Sequence, residues 1–343
     1  MEYGAIDLHL RRSLVRILDA DESVVLDRRI DTTRDELSRL FAARARMRIL
    51  LESSTESEWV AQHLEARGHE VVVADPNYAP MYGARSRKVK TDTRDVAALA
   101  IACRRGIYRA AHRASAAART LRQTMRVRQQ LVQVRSGLIS LLRAVLRQEG
   151  LRLPSGSAER VLPRLDRLTV PAGVATVLAP IRDVLQQLTT TLTTADEAVE
   201  TRATHDRETQ RLLTAPGVGP VVALTFQAVM DDPARFGGDA ARASAFVGLV
   251  PSEDSSAERQ HKGHITKCGP GDLRALLVQA SWVIWRGRSA AGAALRTWAQ
   301  TLAARRGRRI AIVALARRLT RILYAMWRDQ TEFAPRRRAT IAA

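Results

Sequence analysis

The spacing of apolar and polar positions changes along the chain, from short alternating runs in the first third to helical periods in the rest. Tyr3–His9, Ser13–Leu18 and Ser23–Ile30 read as three strands, and Asp19–Glu22 supplies turn chemistry between the second and third. Thr32 or Thr33 is placed to cap a helix reaching about Arg44, with Leu37, Leu40 and Phe41 on one face. Arg48–Leu51 predicts a buried strand that ends at Glu52. A helix from Glu56 to about Arg67 follows, stopped by Gly68, then a strand Glu70–Ala74 closed by Asp75 and Pro76, and a helix from Thr91. Ala114–Glu149 predicts a long helix in which Val127, Leu131, Val134, Leu138, Leu141 and Val145 repeat in steps of four and three, the seam of a coiled coil. Ile181, Leu185, Leu188, Leu192, Ala195 and Val199 repeat in the same way. Between them Gly150–Pro180, with prolines at 154, 163, 171 and 180, predicts a loop holding at most short helices. The two heptad helices either fold back on each other or pair with another subunit. From Leu212 onward the pattern predicts a mainly helical domain, with helices over Leu273–Trp285, Ala290–Ala304 and Arg309–Trp327.

Three antiparallel strands, then helix, strand, helix, strand and helix, make the ribonuclease-H-like α/β topology. No glycine-rich loop follows the first strand, which argues against a dinucleotide fold. The expected organisation is therefore an α/β domain over 1–110, coiled-coil helices with a proline-containing insert over 111–211, a mainly helical domain over 212–330, and a basic tail over 331–343. No run of 18 apolar residues is present, which excludes a membrane span and a membrane partner. No secretory leader is evident at Met1-Glu2-Tyr3, and the two cysteines, Cys103 and Cys268, cannot build a disulfide framework; a reducing, cytoplasmic setting is expected.

Charge changes the picture. The 343 residues carry a formal net charge of +20, unevenly spread. Residues 101–150 hold eleven arginines against Glu149 alone, and 301–343 hold eleven against Asp329 and Glu332. Such basic segments suit a polyanion, because neutralising phosphates releases counterions. Arg126, Arg135 and Arg143 on the first long helix are candidate phosphate contacts. Lysines number only four, and they flank two motifs: Lys88 and Lys90 before an acidic pair, Lys262 and Lys267 within a polar loop.

Four carboxylates carry candidate chemistry. Asp7 lies in the strand Gly4-Ala-Ile-Asp-Leu-His9, where a charge is costly unless paired or metal-bound. Glu52 ends a buried strand, and Asp92 and Asp95 share one helical face. In the expected topology strand one lies beside strand four under the last helix, so all four converge. Clustered carboxylates hold Mg²⁺ or Mn²⁺ for phosphoryl transfer. Read singly, Asp92 is equally a helix cap and Glu52 a solvated strand end. Pro216-Gly-Val-Gly-Pro220 lies between two helices, as in a helix-hairpin-helix, where Gly217 and Gly219 let backbone N–H groups approach a phosphate; an ordinary helix–helix turn fits equally. Further on, Ser255 and Ser256 sit in a loop with Lys262, His264, Lys267 and Arg274, a set able to steady a phosphate under hydroxyl attack, or simply a basic loop.

Taken in order, Gly4-Ala-Ile-Asp7, Leu51-Glu-Ser-Ser-Thr55, Lys90-Thr-Asp-Thr-Arg-Asp95, Pro216-Gly-Val-Gly-Pro220, and Gly248-Leu-Val-Pro251 through Gly263-His-Ile-Thr-Lys267 resemble the insertion sequence 110 (IS110) transposases and the related Piv/MooV DNA invertases, over roughly residues 3–330. The resemblance implies a RuvC-like domain with Asp7, Glu52, Asp92 and Asp95 as the metal-binding acidic set, and a C-terminal transposase domain with Ser256 as the nucleophile that joins DNA. It also implies donor and target DNA, a structured non-coding guide RNA, and assembly as a dimer or tetramer. Two positions depart from the family pattern. Ser53-Ser54-Thr55 stands where Ala-Thr-Gly is usual, and Ala257 replaces the glycine after the serine, leaving Ser255 a rival. The other readings are a RuvC-type nuclease with no covalent intermediate and a non-catalytic nucleic-acid-binding relic.

Overall fold

A computed structural model describes residues 1–83, 91–253 and 262–335, and the chain divides into two compact units, 1–113 and 114–343. The first unit is built on a five-stranded sheet: β1 (Tyr3–Asp7), β2 (Arg12–Leu18), β3 (Val24–Asp31), β4 (Arg48–Glu52) and β5 (Glu70–Ala74), in the order β3-β2-β1-β4-β5. β1 pairs antiparallel with β2 and parallel with β4, in the register Ile6–Leu51. Alternation assigns the two faces. Ile6, Ile49 and Leu51 face α1 (Arg34–Phe41) and α2 (Ser57–Glu65), where they join Phe41, Val60 and Leu64. Ala5 and Leu50 face α3 (Asp92–Arg105), among Val96, Leu99 and Cys103. Covered on both faces, β4 buries three consecutive aliphatic residues, Ile49 to Leu51, as a central parallel strand must. The strands and helices foreseen for residues 1–105 are all present.

The second unit is helical. α4 (Ala116–Gln148) runs out, a short helix α5 (Val161–Leu165) turns the chain, and α6 (Ala172–His205) returns. Leu121 and Met125 near the start of α4 pack with Val199 and Ala203 near the end of α6, while Leu142 and Leu146 pack with Leu178 and Leu185, so the pair is an antiparallel intrachain hairpin.

Two expectations are corrected here. α6 begins at Ala172 and runs through Pro180, which was expected to lie in the loop. Proline removes one backbone donor, but a helix with its apolar face packed over many turns carries that local cost. The buried seam of α4 is also displaced by one residue from the expected one. Leu121, Met125, Arg135, Ile139, Leu142 and Leu146 face inward, whereas Val127, Val134 and Leu141 are exposed at 61%, 50% and 50%. One residue is about 100° of helix rotation, and the seam is masked in sequence by arginines that sit on it. Arg128 pairs with Asp196 of α6, and Arg135 pairs with Glu159 at 3.0 Å.

Further helices complete this unit: α7 (Arg207–Leu213), α8 (Pro220–Met230), α9 (Ala240–Phe246), α10 (Gly271–Arg286), α11 (Ala293–Arg306) and α12 (Arg308–Arg328). Their core is one cluster centred on Leu277, Leu319, Leu323 and the fully buried Tyr324. Tyr324 sends its hydroxyl to the Pro233 carbonyl at 2.7 Å. An antiparallel ribbon, β6 (Pro251–Glu253) with β7 (Lys262–Ile265), stands beside them where only a loop was expected. No helix among the described residues is long and apolar enough to cross a membrane.

Candidate active site and nucleic-acid interface

Asp7 and Glu52 are the last residues of two parallel neighbours, so pairing alone brings both to the carboxyl end of the sheet. Ligands gather at this edge in open α/β sheets, where the strand order changes direction. α3 begins beside it. Its N-cap is Thr91, whose hydroxyl accepts from Arg94 N. Asp92 is therefore not the cap and occupies the first helical position, with Asp95 one turn on. Both lie in the first turn, where the helix dipole favours negative charge.

The side chains converge as the topology requires. Asp7 Oδ2 lies 3.4 Å from His9 Nε2, which is 4.0 Å from Asp92 Oδ2. Asp7, His9 and Asp92 each present one ligand atom, all within 4.8 Å of one another. Asp7 is the buried member, its side chain 14% exposed against 53% for Asp92. Burial pushes its carboxyl above the ordinary range, His9 opposes this, and Glu52, Asp92 and Asp95 add to it as like charges. All four acids thus bear on one point. Glu52 Oε1 accepts from the Tyr82 hydroxyl, Arg29 reaches Asp92 at 3.6 Å, and Asp95 is buried. His9, Tyr82 and Arg29 were not foreseen at this site. For His9 a signal existed, since two residues beyond Asp7 along an extended chain is the same side.

Hard oxygen donors with one imidazole, gathered around a carboxyl that burial and like charge hold above its ordinary pKa, suit a divalent cation. A cation would repay the repulsion that raises Asp7.

In the second unit the glycine turn joins α7 to α8. Gly217 has φ +75°, and a Cβ there would come within 2.6 Å of the Ala280 carbonyl of α10, so packing alone demands glycine. Gly219 is the N-cap of α8, and among the described residues nothing lies within 4 Å of the Cβ it lacks. β6 and β7 flank residues 254–261, so Ser255, Ser256 and Ala257 lie outside the described residues, as do Lys88 and Lys90. The base of the ribbon is described. Gly248 at φ +71° lies so close to the Cys268 backbone that no side chain fits, and Arg274 Nη1 donates to the Val247 and Cys268 carbonyls at 2.9 and 3.0 Å. Lys267 is exposed and held at φ +55°, uncommon for a residue with a side chain. Lys262 opens β7.

Of the arginines assigned to a phosphate-facing surface, Arg126 is exposed. Arg143 converges with Ser140, Arg147 and Arg152 around a cleft of about 310 Å³. Arg135 does not belong with them. It is buried on the α4 seam and neutralised by Glu159, because the true seam is one residue away from the expected one.

Residues 5–150 match the "Transposase" family of the DEDD, IS110 type, and residues 209–296 match "Transposase IS116/IS110/IS902 family". A transposase for insertion sequence element IS1111A from Coxiella burnetii is 30% identical over 252 residues, covering 71% of this chain and 68% of its own. The chain belongs to the IS110 family of transposases. Similarity extends over its length: a probable family 20 transposase of Pseudomonas aeruginosa is 26% identical across 98% of this chain and 100% of its own. A transposase for insertion sequence element IS1328 of Yersinia enterocolitica is 24% identical across 83% and 85%. The IS110-type transposase is a DNA-recombining enzyme, and its DEDD unit suits a divalent metal cofactor.

Proposed function

We propose that this transposase recombines donor and target DNA under the direction of a structured guide RNA, through a serine nucleophile and the acidic set of its first unit. The observation that carries this reading is the convergence of Asp7, His9 and Asp92 with Glu52 and Asp95 at the carboxyl end of the sheet. Asp7 and Asp92 would hold Mg²⁺ or Mn²⁺ with Glu52 and Asp95 alongside, and the cation would supply charge neutralisation at a scissile phosphate. Ser256 Oγ attacks phosphorus; a phosphoserine bond forms, one DNA P–O bond breaks, and the serine proton passes to the strand-end oxygen, which leaves as a hydroxyl. A hydroxyl of the exchanged strand then displaces Ser256 and restores a phosphodiester, so no external energy source is consumed. Lys267 contributes positive charge near this loop, and Arg274 holds the loop's base through two carbonyls.

Support for the partners comes from α4. Arg126 and the cleft of Arg143, Arg147 and Arg152 suit phosphates of guide RNA or DNA. The unused heptad stripe Val127, Val134 and Leu141 suits a second copy of the chain, since joining two duplexes needs at least two active sites.

The deciding experiment is denaturing electrophoresis of labelled DNA after incubation with protein, guide RNA and Mg²⁺. Ser256→Ala should abolish both protein–DNA adduct and recombination while binding persists, and Ser255→Ala should abolish neither. Undiminished adduct in Ser256→Ala removes that serine from the reaction. Cleavage with no adduct, when religation is blocked, would establish a RuvC-type nuclease instead.

A further inference from the structure

In the second unit α11 and α12, with the chain after α12, enclose a groove of about 910 Å³ that none of the motifs above touches. Its wall is apolar, from Leu295, Ile322, Met326 and Phe333, and three arginines of α12 open onto it: Arg317, Arg318 and Arg321. Glu332 also lines it, yet none of the three arginines is ion-paired among the described residues. They are uncommitted, whereas Arg128, Arg135, Arg182 and Arg328 of the same unit each meet a carboxylate. Arg318 lies over the Trp298 ring, its guanidinium carbon 4.7 Å from the centroid. Arg317 Nε is buried with no hydrogen-bond partner among the described residues. A buried donor left unmade is costly, and the same side chain lines the groove, where an acceptor can enter.

The combination selects a ligand. Unpaired arginines want phosphate oxygens, which guanidinium groups grip in their plane. A guanidinium held over an indole, against apolar walls, suits an aromatic plane. A nucleotide offers both together, and the groove lies within the range of small-ligand sites, roughly 300–1,000 Å³. Paired bases keep their faces inside the duplex stack; only an unpaired one presents its face to a protein. We propose that this groove binds an unpaired nucleotide, with the base on the Arg318–Trp298 stack and the phosphate on Arg317 and Arg321. The proposal rests on the chain's nucleic-acid chemistry as a transposase, and needs neither the serine nor the metal.

The test is fluorescence anisotropy with the full chain, using a labelled single-stranded RNA, a single-stranded DNA of the same sequence, and a blunt duplex. Trp298→Ala should weaken single-strand binding about tenfold, the loss of one base stack, and leave the duplex unchanged. Arg318→Lys keeps charge and bulk but not the planar stack, so it should reproduce that selective loss if Trp298→Ala fails to fold. Arg317→Gln should reduce the single-strand salt slope by about 0.7, the value of one neutralised phosphate. A greater loss on RNA than on DNA, or the reverse, would identify the strand that supplies the nucleotide and support the site either way. Unchanged single-strand affinity in folded Trp298→Ala and Arg318→Lys, or equal losses on strand and duplex, would overturn it. Adduct formation through Ser256 is read separately, so either idea can fail alone.

Discussion

At the scale of single residues, the acidic site is where chemistry and folding pull in opposite directions. A carboxyl whose folded-state pKa lies above its unfolded value contributes stability at low pH and loses it as pH rises through the folded value. Asp7 is raised, so at neutral pH its charge weighs against the metal-free fold. Asp7→Asn should therefore leave the melting temperature without metal unchanged or higher, while Mg²⁺ or Mn²⁺ no longer raises it as much as in the parent chain. DNA cleavage by Asp7→Asn or Asp92→Asn should fall more than about a hundredfold, beyond what losing an outer-shell partner costs. A lower metal-free melting temperature with full cleavage would mean that Asp7 is structural. The two cysteines offer a simpler check. Burial pushes the Cys103 thiol up to about 12, whereas Cys268 is exposed. A thiol reagent at pH 8 should consume one equivalent rapidly in the native protein and a second only in denaturant. Two rapid equivalents would show that the sheet does not cover Cys103 of α3 as described.

At the scale of elements, what could be read from sequence depended on whether a residue's neighbours are local. The sheet of the first unit was legible because strand patterns and turns are short-range, and Asp7 and Glu52 followed from strand order alone. Tyr82 was not, since its role depends on how side chains meet across elements, and His9 was signalled only by its spacing from Asp7. The α4 seam was misread by one residue because Arg128 and Arg135 look like surface residues; their carboxylate partners, Asp196 and Glu159, lie 68 and 24 residues away. Pro180 hid the first turns of α6, and β6 and β7 are too short to show alternation. The corrected register separates two apolar stripes on one helix, which makes a sharp test. Leu142→Ala removes a fully buried side chain and should cost about 2–5 kcal/mol in chemical denaturation. Val134→Glu with Leu141→Glu alters only exposed positions, so it should leave stability within about 0.5 kcal/mol. It should nevertheless lower the mass measured by light scattering from an assembly to a single chain. An unchanged mass would leave the stripe without a role in assembly.

At the scale of the whole molecule, a net charge of +20 makes binding to nucleic acid strong and salt-dependent before any specific recognition occurs. The useful question is which arginines supply it. Many are already committed: Arg113 to Glu58 and Glu65, Arg122 to the Ala228 and Val229 carbonyls, and Arg135 to Glu159. Arg126, Arg143, Arg147 and Arg152 have no carboxylate partner among the described residues, and three of them share one cleft. Reversing Arg126, Arg143 and Arg147 to Glu should flatten the plot of log affinity against log salt by about 0.9 for each duplex phosphate no longer neutralised, or about 0.7 for a single strand. Melting should be little affected, because these side chains reach solvent. Arg135→Glu should behave in the opposite way. It places a second carboxylate against Glu159 in the hairpin and should cost about 3–5 kcal/mol of stability, the penalty of an uncompensated buried charge, with any loss of binding following the fold. Binding measured by anisotropy between 50 and 300 mM salt, alongside thermal melts, separates the two. A salt slope unmoved by the triple reversal would show that this face of α4 meets only water.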